Sequence, residues 1–280
     1  MKLSLYCGVS KIIRERGWEA AAKEALSLGC NMLETIDTPF SSEEPVLSSI
    51  EQVREARKVL NFHGVSISCC SVFANLYNSP ETVSFLKSYS ELAYELGSPF
   101  LHHTLLPRIE PSTEVPEAED AIERAVSAAE EIANHAANFG ITCLYEGQGL
   151  IVNGIEGYHK FFDEMKRRCK NVGVCGDIGN TLFVDVSPKD FFSEFISDIK
   201  HVHVKEYKRF PSTEERKPGW MRTHNGSYIS DVPLGTGICE IDECMKILKA
   251  AGYDDVVSIE STDPPPAVAY MKNTYETIFR

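Results

Sequence analysis

The stretch from Ala118 to Glu146, AEDAIERAVSAAEEIANHAANFGITCLYE, holds the pattern that decides the fold. Ala118, Ile122, Ala125, Ala129, Ile132 and Ala136 recur at helical spacing and form one apolar stripe. Gly140 follows, and glycine suits the left-handed conformation that terminates a helix. The run Ile141 to Glu146 then reads as a short buried strand ending in a carboxylate. The same unit recurs on either side. Trp18, Ala21, Ala25 and Leu28 lead to Gly29 and a strand from Asn31 to Ile36, and Val53, Ala56 and Leu60 lead to Gly64 and a strand from Val65 to Val72. Leu86, Tyr89, Leu92, Ala93 and Leu96 lead to Gly97 and a strand around Phe100 to Thr104, while Ile241, Cys244, Leu248 and Ala251 lead to Gly252 and the run Val256 to Glu260.

Strands near Leu3 to Cys7, from Val172 to Asp177 and around His201 to Glu206 bring the number to eight, each followed by helix-like sequence. Eight alternating units predict a single α/β domain over residues 1–280, a (β/α)8 TIM barrel. A doubly wound open sheet is the alternative, but the phosphate-binding glycine fingerprint is missing after the first strand. Two connections are long, Pro107 to Pro116 after the fourth strand and a loop at about 208–231 after the seventh. The second is polar and contains Trp220, Arg222 and His224, which favours a role in covering substrate or in contacting a second copy of the chain in a homo-oligomer.

At 280 residues and 43% hydrophobic, the chain is able to bury a large core. Its 28 basic and 41 acidic residues leave a net charge of -13, which repels phosphate backbones and anionic lipid, so neither nucleic acid nor a membrane is expected as a partner. Nine scattered cysteines, an odd number without repeated metal-type spacing, read as reduced core residues. With no signal-like apolar run near Met1 and no stretch approaching the ~18 apolar residues of a membrane span, the expectation is a soluble cytoplasmic protein. Asn225-Gly226-Ser227 matches a glycosylation acceptor, to which a cytoplasmic setting gives no meaning.

Barrels of this kind carry their active sites at the carboxyl ends of the strands. Glu146, Asp177 and Glu260 each end an apolar run, where a carboxylate is costly unless paired or metal-bound, and His203 lies at the matching place in His201-Val202-His203-Val204-Lys205-Glu206. Three oxygen donors and one imidazole suit one divalent metal ion, Mn2+ foremost, with Mg2+, Co2+ or Zn2+ as alternatives. The absence of thiolates points to a catalytic rather than a structural site. Glu34 ends the second strand and either binds a substrate hydroxyl or closes a polar network. Of the pair His102-His103, one ring is placed to reach the pocket, unless both are structural. Lys205 shares a side with His203 and either binds an anionic substrate group or pairs with Glu206 or another acid; His201 falls one layer lower, in the core. Pro233 to Gly237 is glycine-rich but lacks the ending of a phosphate loop.

Over essentially its whole length the chain resembles the sugar phosphate isomerase/epimerase family, the xylose isomerase-like barrels that include ketose 3-epimerases. The resemblance rests on Glu146, Asp177, His203 and Glu260 at the ends of strands five to eight, with Glu206 at the acidic position of the histidine motif. It implies a single divalent metal held by these four residues, with Glu146 and Glu260 also exchanging a proton on the two faces of a planar enediolate. It further implies a carbohydrate substrate oriented by Arg209, six residues after the metal histidine, and by Asn180. Two positions depart from the free-ketose epimerases: Asn180 stands where they have a histidine, and Val152 where they have a second glutamate. These departures put the particular sugar in doubt rather than the metal set. The same site would serve an aldose-ketose isomerase or an inosose-type dehydratase, and a noncatalytic sugar-binding protein is the reading from another class. Zinc-dependent apurinic endonucleases share the barrel, but Asn180 replaces one of their ligands and the net charge opposes nucleic acid.

Overall fold

Parallel strands alternate with helices along the chain as the periodicity dictates. In the computed structural model, which describes residues 2–77, 79–107 and 118–279, the barrel strands are β1 (Lys2–Leu5), β2 (Met32–Asp37), β3 (Ser66–Val72), β4 (Phe100–His103), β5 (Thr142–Tyr145), β6 (Val172–Ile178), β7 (Ile199–Val204) and β11 (Val256–Ile259). They close in the order β1-β11-β7-β6-β5-β4-β3-β2, a single (β/α)8 barrel without an open edge. Around it lie α1 (Val9–Arg16), α2 (Trp18–Leu28), α3 (Ile50–His63), α4 (Pro80–Leu96), α5 (Ala118–Ala137), α6 (Gly154–Arg168), α7 (Pro188–Phe195), α8 (Ile241–Ala250) and α9 (Pro264–Phe279). After α5, Gly140 takes a φ of 70° and its N–H returns to the Ala137 carbonyl, so the residue that punctuates the sequence also turns the chain into β5.

The core has two parts. Between strands and helices, Tyr158 and Phe162 of α6 meet Phe191 and Phe195 of α7, all buried. Any side chain at Gly176 of β6 would meet the Phe192 ring, at 2.9 Å from its first carbon, so the close approach of α7 requires glycine there. Inside the barrel, Cys69, Leu144 and Cys175 pack with Phe100 to form an apolar floor. Above that floor the inward residues are polar. All nine cysteines are unpaired thiols. No helix among the described residues is long and apolar enough to cross a membrane.

The region read from sequence as a long loop carries three short strands. Between β7 and β11 the chain forms β8 (Tyr207–Phe210), β9 (Met221–Arg222) and β10 (Tyr228–Asp231), an antiparallel sheet in the order β8-β10-β9. The connection from β9 to β10 turns at Asn225-Gly226, where Gly226 has φ 88°, so the dipeptide acts as a hairpin signal. Trp220 is buried, stacked on Phe210 at 3.9 Å between centroids, and gives this sheet its own small core. The long connection from Pro107 to Pro116 lies, beyond Pro107 itself, outside the described residues.

Candidate active site

Four carboxyls and two histidines occupy the upper barrel interior. His203 is held from behind: its Nε2 donates to Glu34 Oε1 at 2.9 Å, its ring stacks on Tyr6 at 4.9 Å, and its Nδ1 faces forward. That atom lies 3.4 Å from Glu146 Oε2, 3.6 Å from Glu260 Oε2 and 3.9 Å from Asp177 Oδ2. Glu146 and Glu260 stand one residue beyond β5 and β11, so their side chains reach over the rim. Asp177 and His203 are paired in register across β6 and β7. Asp177 is further shaped by η1 (Asn180–Val184), a single 3-10 turn whose Asn180 N–H donates to Asp177 Oδ1 at 2.7 Å. Lys205 places its ammonium 3.1 Å from Asp177 Oδ2 and 2.9 Å from Glu260 Oε1, and donates to Asn180 Oδ1 at 3.1 Å.

Burial and charge work against each other here. Burial disfavours the charged form of Glu34, but the imidazoles of His203 and His201 outweigh it and hold the carboxyl well below the usual range. Burial likewise opposes charge on Glu146, yet His102, His203 and Lys205 bring it down to about 2. Asp177 goes the other way, to about 7, because burial and the nearby Glu146 and Glu260 prevail over Lys205. Against its own burial, His203 is raised well above the ordinary imidazole value by its neighbours, Glu34 and Glu146 among them. The four carboxyls thus share this interior with the imidazoles of His203 and His201 and the ammonium of Lys205.

The side chains fit a divalent cation. One donor atom from each of Glu146, Asp177 and His203 lies within 4.8 Å of the others. Glu146 Oε2 is buried with no hydrogen bond among the described residues and Asp177 Oδ2 is buried with only the Lys205 ion pair, so two carboxylate oxygens face the imidazole nitrogen. The Glu34 contact at Nε2 turns Nδ1 toward the carboxylates, an arrangement typical of metal-binding histidines.

The remaining predicted residues fall in different places. Asn180, Lys205 and Glu260 line a cavity of about 430 Å³ with Phe73, Phe183 and Tyr207. Glu34 is fully enclosed beneath it, accepting from His201 at 2.8 Å, His203 at 2.9 Å and Ser71 at 2.6 Å, so it closes a polar network rather than facing the cavity. Glu206 turns aside to accept from the N–H groups of Gly235 and Cys239, which fixes the glycine-rich approach to α8. Arg209 pairs with Asp185 and donates to Ser227, outside this lining, and joins the small sheet to the end of η1. His103 points outward against Tyr145, with ring centroids 5.3 Å apart. Its neighbour His102 is the ring that turns inward, with Nε2 3.7 Å from Glu146 and Nδ1 3.1 Å from Ser71. Sequence reasoning did not select Arg216 or Met221, which reach the same cavity from the excursion beyond β7 along with Arg222.

The family model of the xylose isomerase-like TIM barrel matches residues 22–277, and the chain belongs to that family. Among solved structures, an L-ribulose 3-epimerase superposes with a TM-score of 0.76 at 17% identity, covering 100% of this chain and 96% of the other. D-psicose 3-epimerase from Clostridium cellulolyticum H10, solved with D-tagatose, gives 0.73 at 15% identity over 99% of both chains. A xylose isomerase-like TIM barrel protein from Mycobacterium smegmatis in complex with magnesium gives 0.71 at 16% identity, covering 99% and 96%. At such identities the likeness is one of fold. Among curated proteins there is no significant match.

Proposed function

We propose that the chain is a divalent-metal-dependent sugar or sugar-phosphate epimerase that abstracts a proton next to a ketone. The observation that carries this reading is the forward-facing Nδ1 of His203, surrounded at 3.4 to 3.9 Å by Glu146, Glu260 and Asp177 while Glu34 holds the opposite nitrogen. Glu146, Asp177, His203 and Glu260 would hold the cation, with Mn2+ the first expectation and Mg2+, Co2+ or Zn2+ the alternatives. Bound there, it would supply Lewis-acid stabilisation of negative charge on adjacent ketone and hydroxyl oxygens.

The chain's own groups account for the proton steps. Glu146 and Glu260 follow β5 and β11, strands separated in the barrel by β6 and β7, and so stand on different sides of His203, with Glu260 lining the cavity. One takes the proton from a face of the substrate carbon as base and the other returns a proton to the opposite face as acid, which inverts that carbon. Lys205 and Asn180 orient substrate oxygens, and the apolar rings of Phe73 and Phe183 limit access of water. The epimerases among the structural neighbours support the assignment.

Incubation of the manganese-loaded protein in deuterated water with free and phosphorylated ketoses, followed by NMR, tests it. Deuterium should appear at one inverted carbon and be lost in Glu260→Gln. Transfer between neighbouring carbons would instead establish an isomerase, and loss of water a dehydratase. No exchange across the panel would refute the enzymatic reading in favour of sugar binding.

A further inference from the structure

We propose that the substrate carries an anionic group, a phosphomonoester or a carboxylate, on the end remote from the reacting carbons, and that Arg216 and Arg222 bind it. This rests on the reading of the site as a sugar epimerase and adds the substrate class. Both arginines line the cavity that also contains Lys205, Asn180 and Glu260. The chain carries a net charge of -13, so a cavity wall carrying two arginines runs against its average field.

Carboxylate partners are the rule for arginine in this protein. Seven of the ten described arginines lie in salt bridges; Arg216 and Arg222 do not, and both face one cavity. Arg216 donates from Nε to the Trp220 carbonyl at 2.9 Å, which anchors its guanidinium while leaving other N–H groups for the cavity. Arg222 is fixed at the backbone by pairing with Tyr228 across β9 and β10. Planar guanidinium groups match the oxygens of phosphate and carboxylate. Lys205 is already committed to Asp177 and Glu260 and belongs to the reacting end.

The neighbouring cavity shows which way the substrate lies. It shares Tyr207, Met221 and Glu260 with the first, but its wall carries Glu206, Asp231 and Asp263 and would repel an anion. The charged end is therefore directed to the arginine side, and a volume of about 430 Å³ falls within the range of small-molecule sites.

The test compares three matched ketoses on the manganese-loaded protein, a free ketopentose, its terminal phosphate and a ketose with a terminal carboxylate, by solvent-deuterium exchange and by calorimetric binding. The phosphate or the carboxylate should exceed the free sugar in kcat/KM and affinity, and the two arms identify which anion is preferred. Arg216→Gln with Arg222→Gln should reduce that preference by about tenfold or more for each arginine, as expected for a charge-assisted hydrogen bond. Arg222→Lys should restore part of it. Lys217→Gln, whose ammonium lies over Trp220 away from the cavity lining, should leave exchange unchanged and controls for the charge of the excursion. Equal handling of free and anionic sugars, or a preference unaffected in the double variant, would overturn the proposal. Absence of exchange with all three, alongside anion-dependent binding lost in the double variant, would remove the epimerase reading and uphold the anion site; absence of anion-dependent binding would overturn the site itself.

Discussion

Replacing Glu34 by glutamine keeps the shape of a fully buried side chain and changes only what its end atoms accept and donate. The carboxylate takes three hydrogen bonds, from Ser71 and His203 on Oε1 and from His201 on Oε2. A glutamine oxygen would satisfy the first two, placing its NH2 against His201 Nε2 at 2.8 Å. His201 must then move its proton to Nδ1, a buried atom with no partner among the described residues. His203 keeps its hydrogen bond but loses the negative charge that makes its forward nitrogen a good donor. Loss of such support typically costs 10- to 100-fold in metal affinity, about 1.4 to 2.8 kcal/mol. Competition titration with Mn2+, following free ion by electron paramagnetic resonance, measures this directly and independently of activity. A folded Glu34→Gln protein that binds Mn2+ within twofold of wild type would refute the argument that Glu34 prepares His203.

Other perturbations probe separate parts of the structure. His103 is buried with its pKa depressed from 6.5 to about 4, chiefly by burial, so its contribution to stability is present above pH 6.5 and is lost as pH falls toward 4. Its largest effect is roughly 3 kcal/mol, and His103→Phe should flatten the fall in denaturation midpoint between pH 6.5 and 4; an unchanged slope would assign the acid sensitivity elsewhere. Lys205→Met removes the cation between Asp177 and Glu260 and should tighten Mn2+ binding by about tenfold or more through unrelieved carboxylate charge; weaker binding would show that Lys205 holds the ligands in place. At Gly140 a methyl group meets nothing within 4 Å, so Gly140→Ala should cost only the left-handed backbone penalty of about 1 to 2 kcal/mol, measured by chemical denaturation.

The barrel was legible because helix stripe, glycine and strand repeat as a local pattern. The strand-end acids were legible because a carboxylate after a run such as Val256 to Ile259 has few inexpensive destinations. The partners that position them depend on long-range register. Pairing shifts between Leu33 and Glu34 in β2, bringing Glu34 opposite Cys69, and again between Val174 and Cys175 in β6, bringing Asp177 opposite His203. No feature of either strand alone encodes those shifts. Adjacent His102 and His103 must point to opposite faces, but only packing of Tyr145 on His103 decides which. Arg209 lies at a motif spacing, yet its placement depends on β8 pairing with β10, opposite Ile229. Charged residues obscured the alternation of these short strands, and the Asn225-Gly226 turn was the readable sign of their hairpin.

The small antiparallel sheet beyond β7 has its own aromatic stack, its own turn and its own pairing, while the residues that fit a metal belong to the barrel. On the proposed reading, the metal ligands and the anion-binding arginines thus lie on different pieces of backbone. Segment 208–231 can vary as a cassette, exchanging Arg216 and Arg222 for neutral or acidic side chains without altering the spacing of Glu146, Asp177 and His203. On that reading a change of anionic substrate requires changes in this small sheet alone, while the proposed proton chemistry stays with the barrel.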